Sequence, residues 1–523
     1  MFLTTFFGKF IKFSFYLCAV IFWSRDGPCT KPNFIFMTKK ILATVATAFI
    51  SVSALAGGFV TNTNQNVAFL RQPAQNATIS VGSAYFNPAG VGFLDRKFHL
   101  SVNVQTAIQT REITGDYAPF ALGKGNNGSS KKLFKGDSFV PVIPSFDAAW
   151  RFDDKFFASF HFGIVGGGGK AEYDNSLGSL ESQAAIFPAL VNSIIGTNAV
   201  GYRVETHLVA KQYVFAGQLN LGYRVNDIIS VAAGIRGNVL YNNYKGHMSN
   251  IEFPGIETVN NALIQGILSQ GGNLLADRYL SCTQKDIAWT PILSVDVNLG
   301  KVNVAARYEF NTKVRLKNTT DDGQDAGMPQ FVDGVDNIAS DIPALLSLGV
   351  SYDVLPYLHL NLGYHQYFDK QASFFNAVTG KNDRQDSIEK NSYEILAGVE
   401  WDLSKKFTVS AGGQLTRFGW GDGYEFITDQ SFNINSCSIG AGVRYRLNDR
   451  VSFDAAVFKT FYDRSTKVWA DYSHAGANVY NKLKPVLGNF PIDINEIMSK
   501  IPGGTDEFYR TNTVFGVGVN IAF

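Results

Sequence analysis

Gly166-Gly167-Gly168-Gly169 followed by Lys170 invites a phosphate-cradling reading, because glycine-rich loops before a lysine can wrap phosphate with backbone N–H groups. The reading fails on both sides. Ile164 stands six residues before Lys170, where glycine is needed, and Ala171 follows where serine or threonine would hold Mg²⁺. The seven histidines (His99, His161, His207, His247, His359, His365 and His474) show no metal-ligand spacing. His359 and His365 share a strand face, but six residues of strand separate them by about 20 Å. No G-x-S-x-G nucleophile elbow occurs. No metal, no cofactor and no enzyme activity is therefore expected. Recognition chemistry is left. Arg236, Arg307 and Arg444 recur within apolar runs of period two and could meet a carboxylate through charge-assisted bonds, or pair with acids of their own wall. The four glycines supply no side chains and permit backbone angles closed to other residues, so they can kink a strand or begin a flexible loop.

The elements that would position these residues are strands. Lys97 to Phe523 reads as about fourteen of them, joined by connections that alternate short and long. The short ones are Phe152–Lys155, Arg224–Asp227, Leu299–Lys301, Asp353–Pro356, Asp402–Lys405 and Leu447–Arg450. The long ones are Gln109–Ser138, Gly167–Glu205, Asn242–Ser281, Lys317–Asp341, Asp369–Ser387, Gly419–Gln430 and Arg464–Glu507. Tight turns at one end and long loops at the other are the pattern of a transmembrane antiparallel β-barrel, an all-β fold. The faces agree. Val302, Val304, Ala306, Tyr308 and Phe310 alternate with Asn303, Arg307 and Glu309, and Leu358, Leu360, Leu362 and Tyr364 with His359, Asn361 and His365. A charge on the lipid face costs roughly 2–4 kcal/mol at the midplane, so the charges are expected inside.

Met37-Thr38-Lys39-Lys40, the apolar Ile41–Ser53 and Ala54-Leu55-Ala56 form a secretory signal peptide, cleaved near Ala56. Residues 1–36 before it read as an upstream extension, with Phe2–Trp23 as a membrane anchor the alternative. Without residues 1–56 the chain has 40 basic against 43 acidic residues, which predicts no nucleic-acid partner. Only Cys282 and Cys437 remain, on strands not adjacent in order, so a disulfide is not expected. Residues 57–96 are polar and lack strand alternation. Fourteen strands enclose more space than side chains can fill, so this segment is expected to plug residues 97–523 as a hatch.

At the end of that segment, Ser83-Ala84-Tyr85-Phe86-Asn87-Pro88-Ala89-Gly90 and Leu94-Asp95-Arg96 resemble the hatch-to-barrel junction of the FadL/TodX family, outer-membrane transporters of long-chain fatty acids and other hydrophobic compounds. Asn87, Pro88 and Ala89 carry the short motif. Ile342–Gly349 is similar to the family's Pro-led eighth strand, and Tyr393–Trp401 and Ser436–Tyr445 to later ones; the resemblance spans Gly57 to Phe523. It implies a fourteen-stranded barrel with an N-terminal hatch, capture in a groove of the long loops, and sideways exit at a kink in the third strand, here Gly166–Gly169. It also places Phe59 near a lumenal pocket.

Two long loops carry apolar helical patterns. Leu177, Leu180, Ala184, Phe187, Val191 and Ile194 form one, which Pro188 should kink or break. Val259, Leu263, Ile267 and Leu274-Leu275 form the other. Phe187, Val259, Leu263, Ile267 and Arg307, with Phe59, are the candidate ligand contacts. The expected partners are a long-chain fatty acid or other hydrophobic small molecule, outer-membrane lipids, and the barrel-insertion machinery through the C-terminal Phe523; the chain is expected to be a monomer. The alternative is a surface adhesion protein that uses the barrel as an anchor, and a hydrophilic porin ranks third.

Overall fold

The computed structural model describes residues 61–173, 176–261, 264–265, 276–377, 379–420, 426–480 and 499–523. Its wall strands are β1 (Phe98–Tyr117), β2 (Lys131–Arg151), β3 (Phe156–Tyr173), β4 (Arg203–Arg224), β5 (Ile229–Glu252), β6 (Arg278–Asn298), β7 (Val302–Glu309), β8 (Leu345–Leu355), β9 (Leu358–Tyr367), β10 (Tyr393–Asp402), β11 (Phe407–Arg417), β12 (Ser436–Arg446), β13 (Val451–Tyr462) and β14 (Gly504–Ala522). Each pairs antiparallel with its neighbours. β14 returns to β1 from His99↔Ala522 to Tyr117↔Gly504, which closes a fourteen-stranded barrel. Closure removes the strand edges that an open sheet would have to protect.

The tight turns form where a short side chain can bond the backbone ahead of it. Asp153 Oδ1 accepts the N–H groups of Lys155 and Phe156, both at 2.7 Å. Asn226 does the same for Ile228 and Ile229, Ser404 for Lys406 and Phe407, and Asn448 for Arg450 and Val451. These side chains replace ladder partners and pin the register of each hairpin.

The period-two sorting holds around the wall. Leu221, Ile287, Trp289 and Leu362 are at least 60% exposed, whereas Asn303, Arg307, Glu309 and Glu394 are buried. Such an apolar outer face suits lipid rather than water. From Ile229 to Val239 it runs eleven residues, about 34 Å along a strand that barrel tilt reduces to about 25 Å of membrane normal. Aromatic side chains ring the tight-turn end, among them Trp150, Phe152, Phe156, Trp401, Phe407 and Phe523. That is where a girdle meets the interface.

Two features differ from the sequence expectation. The first is strand length. β1, β2, β3 and β5 run well into the expected loops, so that Arg111 and Lys245 stand on strands. Beyond the apolar belt both faces are polar, and the alternation that marks a strand fades although ladder bonds continue. The second is Pro188, which breaks no turn of the third helix, α3 (Gly178–Ile195), after α1 (Val67–Arg71) and α2 (Ser83–Phe86). Proline forfeits roughly 3 kcal/mol in a helix. Burial of Phe187, Leu190 and Val191, at roughly 1.5–3 kcal/mol each, outweighs it. Cys282 is buried and Cys437 exposed, and both are free thiols.

Candidate functional site

The wall has one long defect, and its cause lies in β2 and β3. These strands pair from Phe146↔Phe162 down to Arg151↔Phe157, and again at Asp137↔Glu172; between those rungs no ladder pair joins them. Pro141 and Pro144 stand in this stretch of β2 and have no N–H to donate. On the other side β3 bulges twice against β4, between Ile164 and Gly166 and between Gly166 and Gly169. Each bulge inserts an extra residue and bends the strand. Gly167 takes φ 103° and Gly169 φ 75°. A Cβ at Gly167 would also overlap the Gln212 carbonyl, so this position admits only glycine. The seam therefore spans Ser138–Ser145 of β2, about 25 Å of chain. Its walls are apolar on both sides: Phe139, Val142 and Phe162 face outward, and Val140, Ile143, Ile164 and Val165 are buried.

The start of the hatch occupies the seam from inside. Asn62 N–H donates to the Val165 carbonyl at 2.8 Å, Thr61 bridges to Gly166, and Gln65 Nε2 donates to the Ile164 carbonyl at 2.8 Å. Carbonyls that β2 leaves without partners are thus satisfied by the plug.

Past this point the plug is bolted to the wall. Asn66 caps the short helix α1 (Val67–Arg71) through the Ala68 N–H at 2.9 Å and donates to Asp147 at 2.8 Å. Asp147 in turn meets His161 Nδ1 at 2.7 Å, across the second paired rung below the seam. Arg71, buried, reaches Glu400 of β10 at 2.6 Å, Asp454 of β13 at 3.2 Å and the Ser410 hydroxyl at 3.0 Å. Gln218 and Asn220 donate to the Ala84 carbonyl at 3.1 and 2.9 Å. Asn87 donates to Asp296 and accepts from the Ser294 hydroxyl at 2.9 Å, while the Ala89 N–H donates to the same hydroxyl at 3.2 Å. Pro88 opens the 3₁₀ turn Pro88–Phe93, where its missing N–H costs nothing. Asn87, Pro88 and Ala89 together thus fasten the plug to β6.

The three inward arginines already have acidic partners. Arg307 lies 3.0 Å from Glu309, donates to the Tyr85 carbonyl and stacks over the Tyr85 ring at 5.0 Å. Arg236 shares Glu309, and Arg444 grips Asp454 at 2.9 and 3.0 Å. Phe187 and Val259 are buried in an apolar cap at the loop end, where the Phe187 ring stands 4.9 Å from Phe253. α3 enters the cap with its Ser179 N–H on the Asp429 carboxylate at 2.7 Å. Burial pushes the Asp429 carboxyl above the usual carboxylate range, against the lowering effect of that N–H. Phe59, Leu263, Ile267, the signal peptide and its cleavage site lie outside the described residues.

Between the cap and the plug runs a polar rung that sequence reasoning missed. Arg111 of β1 lies directly across from Arg510 of β14, and both are buried. Two rungs nearer the plug, Gln109 stands between Asn512 and Ser138, and the buried Asn512 amide and Ser138 hydroxyl have no hydrogen-bond partner among the described residues. The seam prolines were also missed, although paired prolines inside a strand pattern are a legible warning. At the tight-turn end the lumen opens into a cavity of about 270 Å³, lined by charged groups that include Asp353, His359, Asp402, Arg444 and Arg446.

No protein-family model matches the sequence, and no curated protein matches it. Solved structures do. A FadL homologue of Pseudomonas aeruginosa is 14% identical with a TM-score of 0.57, over 89% of this chain and 100% of its own. The toluene transporter TodX of Pseudomonas putida is 10% identical with a TM-score of 0.52, over 91% of this chain and 100% of its own. On that likeness this chain has the fold of the FadL/TodX family.

Proposed function

We propose that this chain is an outer-membrane protein that takes up hydrophobic small molecules, long-chain fatty acids or aromatic hydrocarbons, by passive diffusion and with lateral exit at the β2–β3 seam. The observation that carries the reading is the plug strand at Thr61–Gln65, bonded to β3 carbonyls where β2 provides no ladder. Two properties of the lumen favour exit there. The axial route ends in a charged recess, where an apolar molecule would displace water from ionised groups at a cost. The seam is apolar and opens toward lipid. A molecule caught at the cap around Phe187 and Val259 would pass the Arg111–Arg510 rung, where a carboxylate would find charge-assisted donors. It would then leave as Thr61–Gln65 swings from the seam. The exposed Phe523, whose N–H bonds the Phe98 carbonyl at 2.8 Å, is the element we assign to the insertion machinery.

The test is a disulfide across the bridge. Thr61→Cys with Gly166→Cys, oxidised, should abolish uptake of a radiolabelled long-chain fatty acid and of toluene, and reductant should restore it. Uptake that persists in the oxidised protein would sink the lateral route. Absence of saturable binding to either ligand would sink transport itself and favour an adhesion role.

A further inference from the structure

The outer surface carries a second charge pattern that transport does not use. On β4, β5 and β6 odd-numbered residues face outward, and just beyond the apolar belt these positions turn basic. Lys211 lies across from Lys170 and beside Asn243, Lys245 beside Val209 and Ser281, and Lys285 across from Lys317 of the loop strand Arg315–Asp325. Their rungs lie within four residues of one another along the strands, so the lysines share a patch about 14 Å long and about 14 Å wide, taking three strand spacings of about 4.8 Å. Lys245, Lys285 and Lys317 are exposed and Lys211 partly so. None of the four makes an ion pair with a described residue. Of the acids nearby, Glu172 is taken by Lys170 and by His207 at 3.5 Å, and the exposed Asp321 of the loop strand makes no ion pair with a described residue. Farther out the charges come in pairs again, with Arg203 on Glu252 at 3.0 Å. On β2, two strands away, the outward bases are matched instead, Lys131 with Asp116 and Lys135 with Asp137, each at 3.8 Å.

Four unmatched lysines packed together repel one another unless an anion lies among them. Immediately below them on the same strands are Ile287, Trp289 and Val239, which stand in hydrocarbon. The lysines are therefore held at headgroup depth in the leaflet on the long-loop side. We propose that this patch binds a phosphorylated lipid of the outer leaflet, its phosphates on Lys211, Lys245, Lys285 and Lys317 and its acyl chains on the belt beneath. Charge complementarity selects the phosphate, and the continuous apolar face below selects a lipid over a soluble polyanion.

The full-length protein in phosphatidylcholine nanodiscs would be titrated with bis-phosphorylated lipid A and with its dephosphorylated form, read by native mass spectrometry. Each basic residue near an anionic surface contributes about fivefold. Lys245→Gln and Lys285→Gln should each weaken binding about fivefold, and the fourfold lysine-to-glutamine variant by on the order of a hundredfold or more. Lys131→Gln with Lys135→Gln on β2, where both bases are already paired with acids, should stay within twofold, and heat-modifiable mobility would confirm folded barrels. Unchanged affinity in the single and fourfold variants overturns the proposal. So does equal binding of dephosphorylated lipid, or displacement of lipid A by heparin at equal charge. The assay does not read transport, so its outcome is separate from that of the uptake reading.

Discussion

Arg71→Met tests whether the plug is held by charge. Arg71 is the cation that the plug inserts between Glu400 and Asp454, at 2.6 and 3.2 Å. Removing one partner of a buried ion pair costs about 3–5 kcal/mol, because the remaining charge stays buried. Here the lower end applies. Asp454 keeps Arg444 at 2.9 Å and Asn520 at 2.7 Å, so only Glu400, left with the Ser410 hydroxyl at 3.2 Å, is stranded. About 3 kcal/mol corresponds to roughly two orders of magnitude in the equilibrium between seated and released plug. Amide hydrogen exchange of Val67–Tyr85 in nanodiscs should accelerate about a hundredfold, while exchange in β10 and β13 changes little. Adding Glu400→Gln removes the stranded charge and should recover most of the protection. Equal exchange in Arg71→Met and the parent protein would refute the ion-pair account and leave the plug to its hydrogen bonds. No recovery in the double variant would show that lost packing of the long side chain dominates.

Three further outcomes follow from the same geometry. Gly167→Val must bear both a positive φ and an overlap with the Gln212 carbonyl, so refolding yield into vesicles should fall severalfold, with Gly163→Val a poor control because Gln65 and His161 crowd it. Asn87→Ala strands the buried Asp296 and Ser294 partners; the plug should loosen by about 1–3 kcal/mol, seen as faster protease cleavage between Pro88 and Leu94, and unchanged cleavage would deny the motif its fastening role. Asp429 has a raised carboxyl pKa in the folded cap. The folded state therefore binds more protons than the unfolded one between the ordinary aspartate value and the raised one, and cap stability falls as pH rises through that window and is flat above it. Proteolysis of the α3 loop should slow as the medium is acidified from neutrality, and Asp429→Asn should flatten that dependence while keeping an oxygen for the Ser179 N–H.

The barrel was legible because its causes are local. Whether Val304 or Arg307 faces lipid depends only on period two, and each tight turn is written in one side chain such as Asp153 or Asn226. The glycine run announced an irregular backbone at Gly166–Gly169, and the register shifts fall there. Long-range pairing was not legible. Arg71 meets Glu400 and Asp454 across more than three hundred residues, and Arg111 finds Arg510 only because the sheet closes with one particular stagger. Shear is a property of the whole ring, and no window of sequence contains it. The same reason hid the lysine patch, since Lys211, Lys245, Lys285 and Lys317 come from four strands that only the register aligns. By itself the sequence determined inside, outside and the two ends of the barrel, through contacts between near neighbours. Only the tertiary structure decided which charges meet, where the wall lacks a ladder and what fills it, because those depend on how distant strands are staggered around a closed ring.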